Sequence, residues 1–148
     1  MDIIKELNES WGWAGLQALE VVGENDFGNL IIKDVQGRYW RLMPEECSCA
    51  VVAADRQALD VLSADQDFLQ DWYMAGLTKI AREHCGPLTE GRKYCLKTPG
   101  VLGGQYKAEN VASAPLYELI RLSGDLARQM QGLSDGAQVK LNVVDFFF

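Results

Sequence analysis

The chain has 148 residues, 48% of them hydrophobic, and a formal net charge of −7, a composition that fits one domain with a normal core over residues 1–148. No apolar run approaches the roughly 18 residues of a membrane-spanning helix, and the acidic balance argues against a nucleic-acid-binding protein, which needs a basic face for phosphates. The N-terminus has no basic region followed by a long apolar stretch, so we predict no secretory signal and a cytoplasmic location.

The negative charge is concentrated in the first half of the chain. Residues 1–78 hold 14 acidic and 5 basic residues, a balance of −9, whereas residues 79–148 hold 7 acidic and 9 basic residues, a balance of +2. Acidic surfaces often serve solubility alone. Such a surface would also suit a partner with a basic face, because complementary fields raise association rates.

An amphipathic helix is predicted at the start of the chain. Asp2 lies at its N-terminal end, where a negative charge suits the helix dipole. The apolar residues fall on one face: Ile3, Ile4, Leu7 and Trp11. Gly12 and Gly15 end this helix, and residues 19–22 predict a first strand. We interpret Trp11 and Trp13 as core residues that wedge the helix end against a sheet.

Residues 27–53 predict an antiparallel meander of three strands, at 30–33, 38–42 and 48–53. The segment Asp34-Val35-Gln36-Gly37 supplies the Asp and Gly that a short hairpin loop favours. One face of such a sheet must be covered. The fold class is therefore α+β, with an antiparallel meander packed by two or three amphipathic helices.

The second half of the chain predicts further helices and strands. Asp55 is a plausible N-cap of a short helix that reaches residue 62, and Asp65 can cap a longer helix over 66–85, which Gly86 and Pro87 end. Another apolar stripe predicts a helix over 115–131, with Pro115 at its first position. Alternating residues predict strands at 93–97 and 138–144.

No credible catalytic or metal centre is apparent. Cys47, Cys49 and His84 could in principle belong to a tetrahedral zinc site, but their spacing is not a zinc signature. We predict that all four cysteines are reduced and free of metal. The glycine-rich loop over residues 99–106 lacks the Gly-Lys-Ser/Thr of a phosphate-binding loop. We expect Gly103 and Gly104 to supply the backbone torsions of a tight loop.

Several segments, in this order, resemble a known family. They are WGW, EVVGENDFGNLIIKDVQGRYWRLMPEE, DWYMAGL, GRKYCLKTPGVLGGQYKAENV and LIRLSGDLARQMQGLSDGAQVKL. The set is similar to the immunity-protein domain found beside antibacterial toxins of type VI secretion systems, which forms the C-terminal part of immunity proteins to toxin deoxyribonucleases. The resemblance covers about residues 8–142. Many relatives carry an additional N-terminal domain, for which we expect no room here, and the ending Asp-Phe-Phe-Phe falls outside the pattern.

The resemblance implies a non-enzymatic immunity protein that binds and neutralises a cognate secreted toxin in the producing cell, without a cofactor. It carries over no catalytic residue. If this function is right, acidic residues of the first half are expected in the contact, because they lie in predicted loops or at a helix start where we expect them to be exposed. The candidates are Glu24, Asp26, Asp34, Glu45, Glu46, Asp65 and Asp67.

Two other classes of function remain open. A small-molecule-binding domain would use the glycine-rich loop with Trp11, Trp13 and Tyr106 around a pocket, and a cavity of several hundred cubic ångströms beside that loop would favour it. An adaptor module would instead apply the acidic face to a partner of another kind.

Overall fold

A computed structural model describes residues 2–132 of the chain. Within this range there are five α-helices: α1 (Ile3–Trp11), α2 (Arg56–Ser63), α3 (Gln66–Tyr73), α4 (Ala75–Cys85) and α5 (Leu116–Met130). The strands of the same range are β1 (Ala18–Glu24), β2 (Leu30–Asp34), β3 (Tyr39–Met43), β4 (Ser48–Ala53), β5 (Arg92–Leu96) and β6 (Val111–Pro115). The predicted strand over 138–144 and the phenylalanine-rich end lie outside the described residues.

Two antiparallel sheets organise the structure. Strands β1 to β4 form a four-stranded meander in chain order, and β5 pairs with β6. The predicted α+β class and the three central strands are confirmed. The short strand β6 was not predicted, and Pro115 closes it as the residue that precedes α5, so it is not the first helical residue.

The four-stranded sheet is covered on both faces. Alternate residues of each strand point to opposite sides, so one strand contributes to both cores. On one face, Leu30, Ile32 and Trp40 pack in a core with residues of α1 and α5. Trp11 belongs to this core, with 2% of its surface exposed, and stacks on Trp13. The interpretation of these two tryptophans as core residues is confirmed.

The opposite face of the sheet carries the shorter helices. Ile31, Tyr39 and Ala53 form a smaller core that α2 and α3 cover, with Phe68 and Trp72 from α3 packed against it. Trp72 is half-buried and Leu119, in α5, is 4% exposed. The predicted packing on this sheet therefore holds for α5 and for α3, whereas Leu77 and Ala81 of α4 pack in the core of the second sheet.

The predicted helix over 66–85 is two helices, so that prediction is wrong at its centre. Met74 has left-handed torsions, with φ 48° and ψ 41°, and separates α3 from α4. The side-chain amide of Asn25 donates to the carbonyl of Trp72 at 2.8 Å. In an uninterrupted helix that carbonyl would accept from the N–H of Gly76, four residues on. A side chain from the β1–β2 loop therefore takes over one helical hydrogen bond at the break.

Candidate functional site

Asp34 is buried inside the hairpin that it starts, with 1% of its surface exposed. One carboxylate oxygen accepts from the backbone N–H groups of Gln36 and Arg38, each at 2.9 Å. The other accepts from Arg38 Nε at 2.8 Å and Trp40 Nε1 at 2.9 Å. Burial alone would raise the pKa of Asp34, but these hydrogen bonds together outweigh it and lower the pKa. The expectation that Asp34 is an exposed contact residue is wrong.

Glu45 is also buried, with 3% of its surface exposed, so its predicted exposure is wrong as well. It lies in the 3-10 turn Pro44–Glu46 after β3, and the side-chain amide of Asn29 donates to its two oxygens at 2.9 and 2.8 Å. Burial raises the pKa of Glu45 to about 7, although Asn29 and the charge of Arg41 act in the opposite direction. The carboxyl group therefore accepts internal hydrogen bonds and does not offer an exposed charge to a partner.

Arg41 joins this buried cluster to α3. Its Nε and Nη2 donate to Asn29 Oδ1 at 3.1 and 2.8 Å, and its Nη1 donates to Asp71 at 2.7 Å. The guanidinium lies 5.5 Å from the ring centre of Phe68 and 5.2 Å from that of Trp72. Such a site suits arginine, since the planar cation binds a carboxylate and stacks on aromatic rings together. Sequence reasoning missed it, although alternation along β3 places Arg41 on the same side as Tyr39.

The remaining candidates fall in three separate segments of the chain. Glu24, Asp65 and Asp67 are exposed, whereas Asp26 and Glu46 are half-buried. Glu24 pairs with Lys93 Nζ at 3.4 Å. Asp65 caps α3, as predicted, by accepting from the N–H groups of residues 67 and 68 at 2.8 and 3.1 Å. These acids are thus accessible to a partner, but two of the exposed three already have a local structural role.

The glycine-rich loop is ordered by a single asparagine. Asn110 accepts from the N–H of Thr98 at 2.9 Å, and its amide donates to the carbonyls of Thr98 and Gln105 at 3.0 and 2.8 Å. Gly103 has φ +92°, which fits its expected role in a tight turn. Gly104 is needed for space, because a Cβ there would collide with the Thr98 carbonyl.

Tyr106 connects this loop to the turn after β3. Its hydroxyl donates to Glu46 Oε1 at 2.6 Å, and Gly100 lies so close to the same carboxylate that a side chain there would collide with it. Burial, followed by the hydrogen bond to Glu46, raises the pKa of Tyr106. The residue remains 44% exposed. The loop therefore presents a fixed aromatic surface.

An open groove of about 520 Å³ runs between α4 and the segment that follows the glycine-rich loop. It is lined by Ile80, Glu83, His84, Tyr106, Lys107, Ala108 and Glu109. Trp11 and Trp13 do not take part, because both pack on the opposite side of the structure with α1 and the sheet. The predicted pocket of Trp11, Trp13 and Tyr106 is therefore wrong in two of its three aromatic residues.

Three of the four thiols are unsuited to act as nucleophiles. All four cysteines are free, and burial raises the pKa of Cys47, Cys49 and Cys95 to about 12. Since the thiolate is the reactive form, these three groups are unsuited to catalysis near neutral pH. Among residues 2–132, no group of three or more His, Cys, Asp or Glu side chains could hold a metal ion. Within the same range, no helix is long and apolar enough to cross a membrane.

Comparison with known proteins gives one family match. The model of the family described as T6SS immunity protein Tdi1, C-terminal, matches residues 53–127, just over half of the 148-residue chain. The matched range begins at the last residue of β4 and ends within α5, so it contains α2 to α4, the second sheet and the groove. No curated protein matches the chain.

Proposed function

The chain belongs to the family of the T6SS immunity protein Tdi1, C-terminal domain, and we propose that it is a non-enzymatic immunity protein that binds a cognate secreted toxin and neutralises it in the producing cell. The family match is the observation that carries this proposal, because it extends over half of the chain. The surface properties described above add support of a separate kind.

A nuclease is the class of toxin that the surface fits best. Enzymes that act on nucleic acids present a basic face to the phosphates. The net charge of −7, concentrated before residue 79, would steer such a face toward this protein. Two of the candidate contacts, Asp34 and Glu45, are excluded because they are buried. We retain the candidates that are exposed or half-buried, namely Glu24, Asp26, Glu46, Asp65 and Asp67.

Within residues 2–132 no catalytic constellation is evident, which supports a binding function. The buried thiols have raised pKa values, and the ionisable cluster of Arg41, Glu45 and Asp71 is taken up by internal hydrogen bonds. Inhibition by an immunity protein needs only a stable complex, for which complementary charge and an apolar centre are sufficient.

Protection in living cells tests the proposal. The products of the neighbouring genes are expressed one at a time in a susceptible host, with and without the chain, to identify a toxin that it counteracts. We expect the chain to restore growth, and an equally expressed protein of similar charge to leave the cells dying. Death of the cells at undiminished rate, with the chain folded and abundant, would refute the proposed function.

Small-molecule binding is the second candidate, and the groove beside the glycine-rich loop is the observation that favours it. Its volume of about 520 Å³ lies within the range of ligand sites. The groove is open to solvent along its length, whereas ligand sites bury most of a bound molecule. The geometry therefore suits a protein segment better than a small ligand.

A further inference from the structure

The groove between α4 and residues 106–109 has an apolar floor that no other described element covers. Ile80 projects from α4 with 37% of its surface exposed, and Tyr106 faces it with 44% exposed. The neighbouring Ala81 is fully buried, so α4 packs on the core with one side and offers Ile80 on the other. A fixed tyrosine beside an aliphatic side chain is typical of the anchoring part of a protein interface.

The rim of the groove is acidic. Two acids, Glu83 and Glu109, line it together with one lysine, Lys107, and with His84, whose imidazole is neutral at pH 7 in the formal charge. At the Tyr106 end, the carboxylate of Glu46 accepts a hydrogen bond from the tyrosine hydroxyl. A cation in the groove would therefore meet favourable charge at both ends.

The groove also lies entirely within the part of the chain that the family model matches. Its lining residues fall between positions 80 and 109, inside the matched range 53–127. The candidate contacts Glu24, Asp26 and Glu46 precede that range. A binding function common to the family is better placed in this groove than at those acids.

We propose that the groove docks a lysine- or arginine-bearing segment of the toxin, whose aliphatic stem packs on Ile80 and Tyr106 and whose cation faces Glu83 and Glu109. Long basic side chains bury their stems on apolar surface while the charged end stays near polar groups, and a cation is attracted to an aromatic face. This inference rests on the proposed function, because it names the docking site of the same partner.

Three single variants test the inference by titration against the toxin candidate of the protection experiment. Ile80→Arg places a cation in the groove, and Val61→Arg makes the same change on α2, where Val61 is 69% exposed and outside the groove. Lys107→Glu replaces the lysine of the lining with an acid, so it should strengthen binding of a basic segment, which a folding defect would not do. We expect Ile80→Arg to weaken binding about tenfold or more, Val61→Arg to change it less than about twofold, and Lys107→Glu to tighten it about threefold.

The outcomes separate the inference from the proposed function. If the unmodified chain binds the toxin and both Ile80→Arg and Lys107→Glu bind equally well, the groove inference is overturned while the immunity function stands. Weaker binding of Lys107→Glu would also overturn it, because the occupant would then be acidic. If the unmodified chain neither binds the toxin nor protects cells, both fail. Circular dichroism of Ile80→Arg checks that its fold is retained.

Discussion

Burial decides the role of Glu45 more than its sequence neighbours do. Its carboxyl group is buried beside Asn29, and its pKa is raised from 4.5 to about 7. Because the folded-state pKa is above the unfolded one, the folded state binds an extra proton between these values. The associated stability is fully present below pH 4.5 and is lost as the pH rises through about 7.

Replacement of Glu45 by Gln should therefore flatten the pH dependence of stability. At about 1.4 kcal/mol per pKa unit, the unmodified protein should lose on the order of 3 kcal/mol relative to Glu45→Gln between pH 4.5 and pH 8. Urea unfolding of both proteins at several pH values measures the difference in their free energies of unfolding. The other titrating groups are common to both proteins, so their contributions cancel in this difference. Parallel curves for the two proteins would mean that Glu45 titrates normally.

Asp34 illustrates the opposite case, a buried carboxylate held in its charged form. Asp34→Ala removes the acceptor of four hydrogen bonds and leaves the indole N–H of the buried Trp40 unpaired. We expect a loss of about 2–4 kcal/mol in the free energy of unfolding. Glu20→Ala, at an exposed position of β1, is the control and should change stability by less than about 0.5 kcal/mol. Equal, small effects of both changes would contradict the structural role of Asp34.

Among individual residues, the sequence predicted the two helix caps but not the burial of Asp34 and Glu45. Asp55 and Asp65 were identified as caps from their position before apolar periodic residues, and both accept backbone hydrogen bonds as predicted. Glu45 accepts from Asn29, in the β1–β2 loop, and one of the four hydrogen bonds to Asp34 comes from the indole of Trp40, on β3. A pattern read along one segment contains no information about such donors.

The helical elements differ in how much room they leave for a side chain. Gly76, in the first turn of α4, has open space at its Cβ position, whereas Gly124, in α5, has the backbone of Ser10 in α1 directly against it. The close approach of α5 to α1 therefore requires glycine. The break at the left-handed Met74, which ends α3, could not be predicted from the apolar pattern, because α3 and α4 have the same helical periodicity.

The same substitution at these two glycines should have opposite effects. Gly76→Ala should stabilise the protein by about 0.5–1 kcal/mol, because alanine loses less backbone entropy in a helix. Gly124→Ala should destabilise it by about 1–3 kcal/mol, because α5 must move away from α1. Thermal unfolding of the two variants measures this. A stabilising Gly124→Ala would show that the two helices are not in such close contact.

For the whole molecule, the sequence predicted the fold class, the central meander and the family. These depend on long periodic segments and on an ordered set of motifs. The groove could not be predicted, because it is formed by α4 and a loop more than 20 residues further along the chain. The sequence pattern indicated only the glycines and Tyr106 as residues near a pocket. The aromatic partners predicted for Tyr106, Trp11 and Trp13, do not line the groove.

The uneven charge of the molecule makes a separate prediction about association rates. Asp67→Lys reverses an exposed acid of the first half, and Glu90→Lys makes the same change at an exposed position of the second half. We expect Asp67→Lys to slow association with the toxin several-fold and to reduce its dependence on salt, since a rim charge acts mainly on the on-rate. Stopped-flow association at two salt concentrations measures the effect. Equal behaviour of the two variants would mean that the acidic half serves solubility alone.

The most direct test of the account is a titration of the purified toxin with the purified chain, in which binding and toxin activity are followed in the same mixture. We expect saturable binding with a fixed stoichiometry and a loss of toxin activity in proportion to the fraction bound. Absence of binding, with toxin activity unchanged at an excess of the folded chain, would contradict the claim that this protein neutralises a toxin.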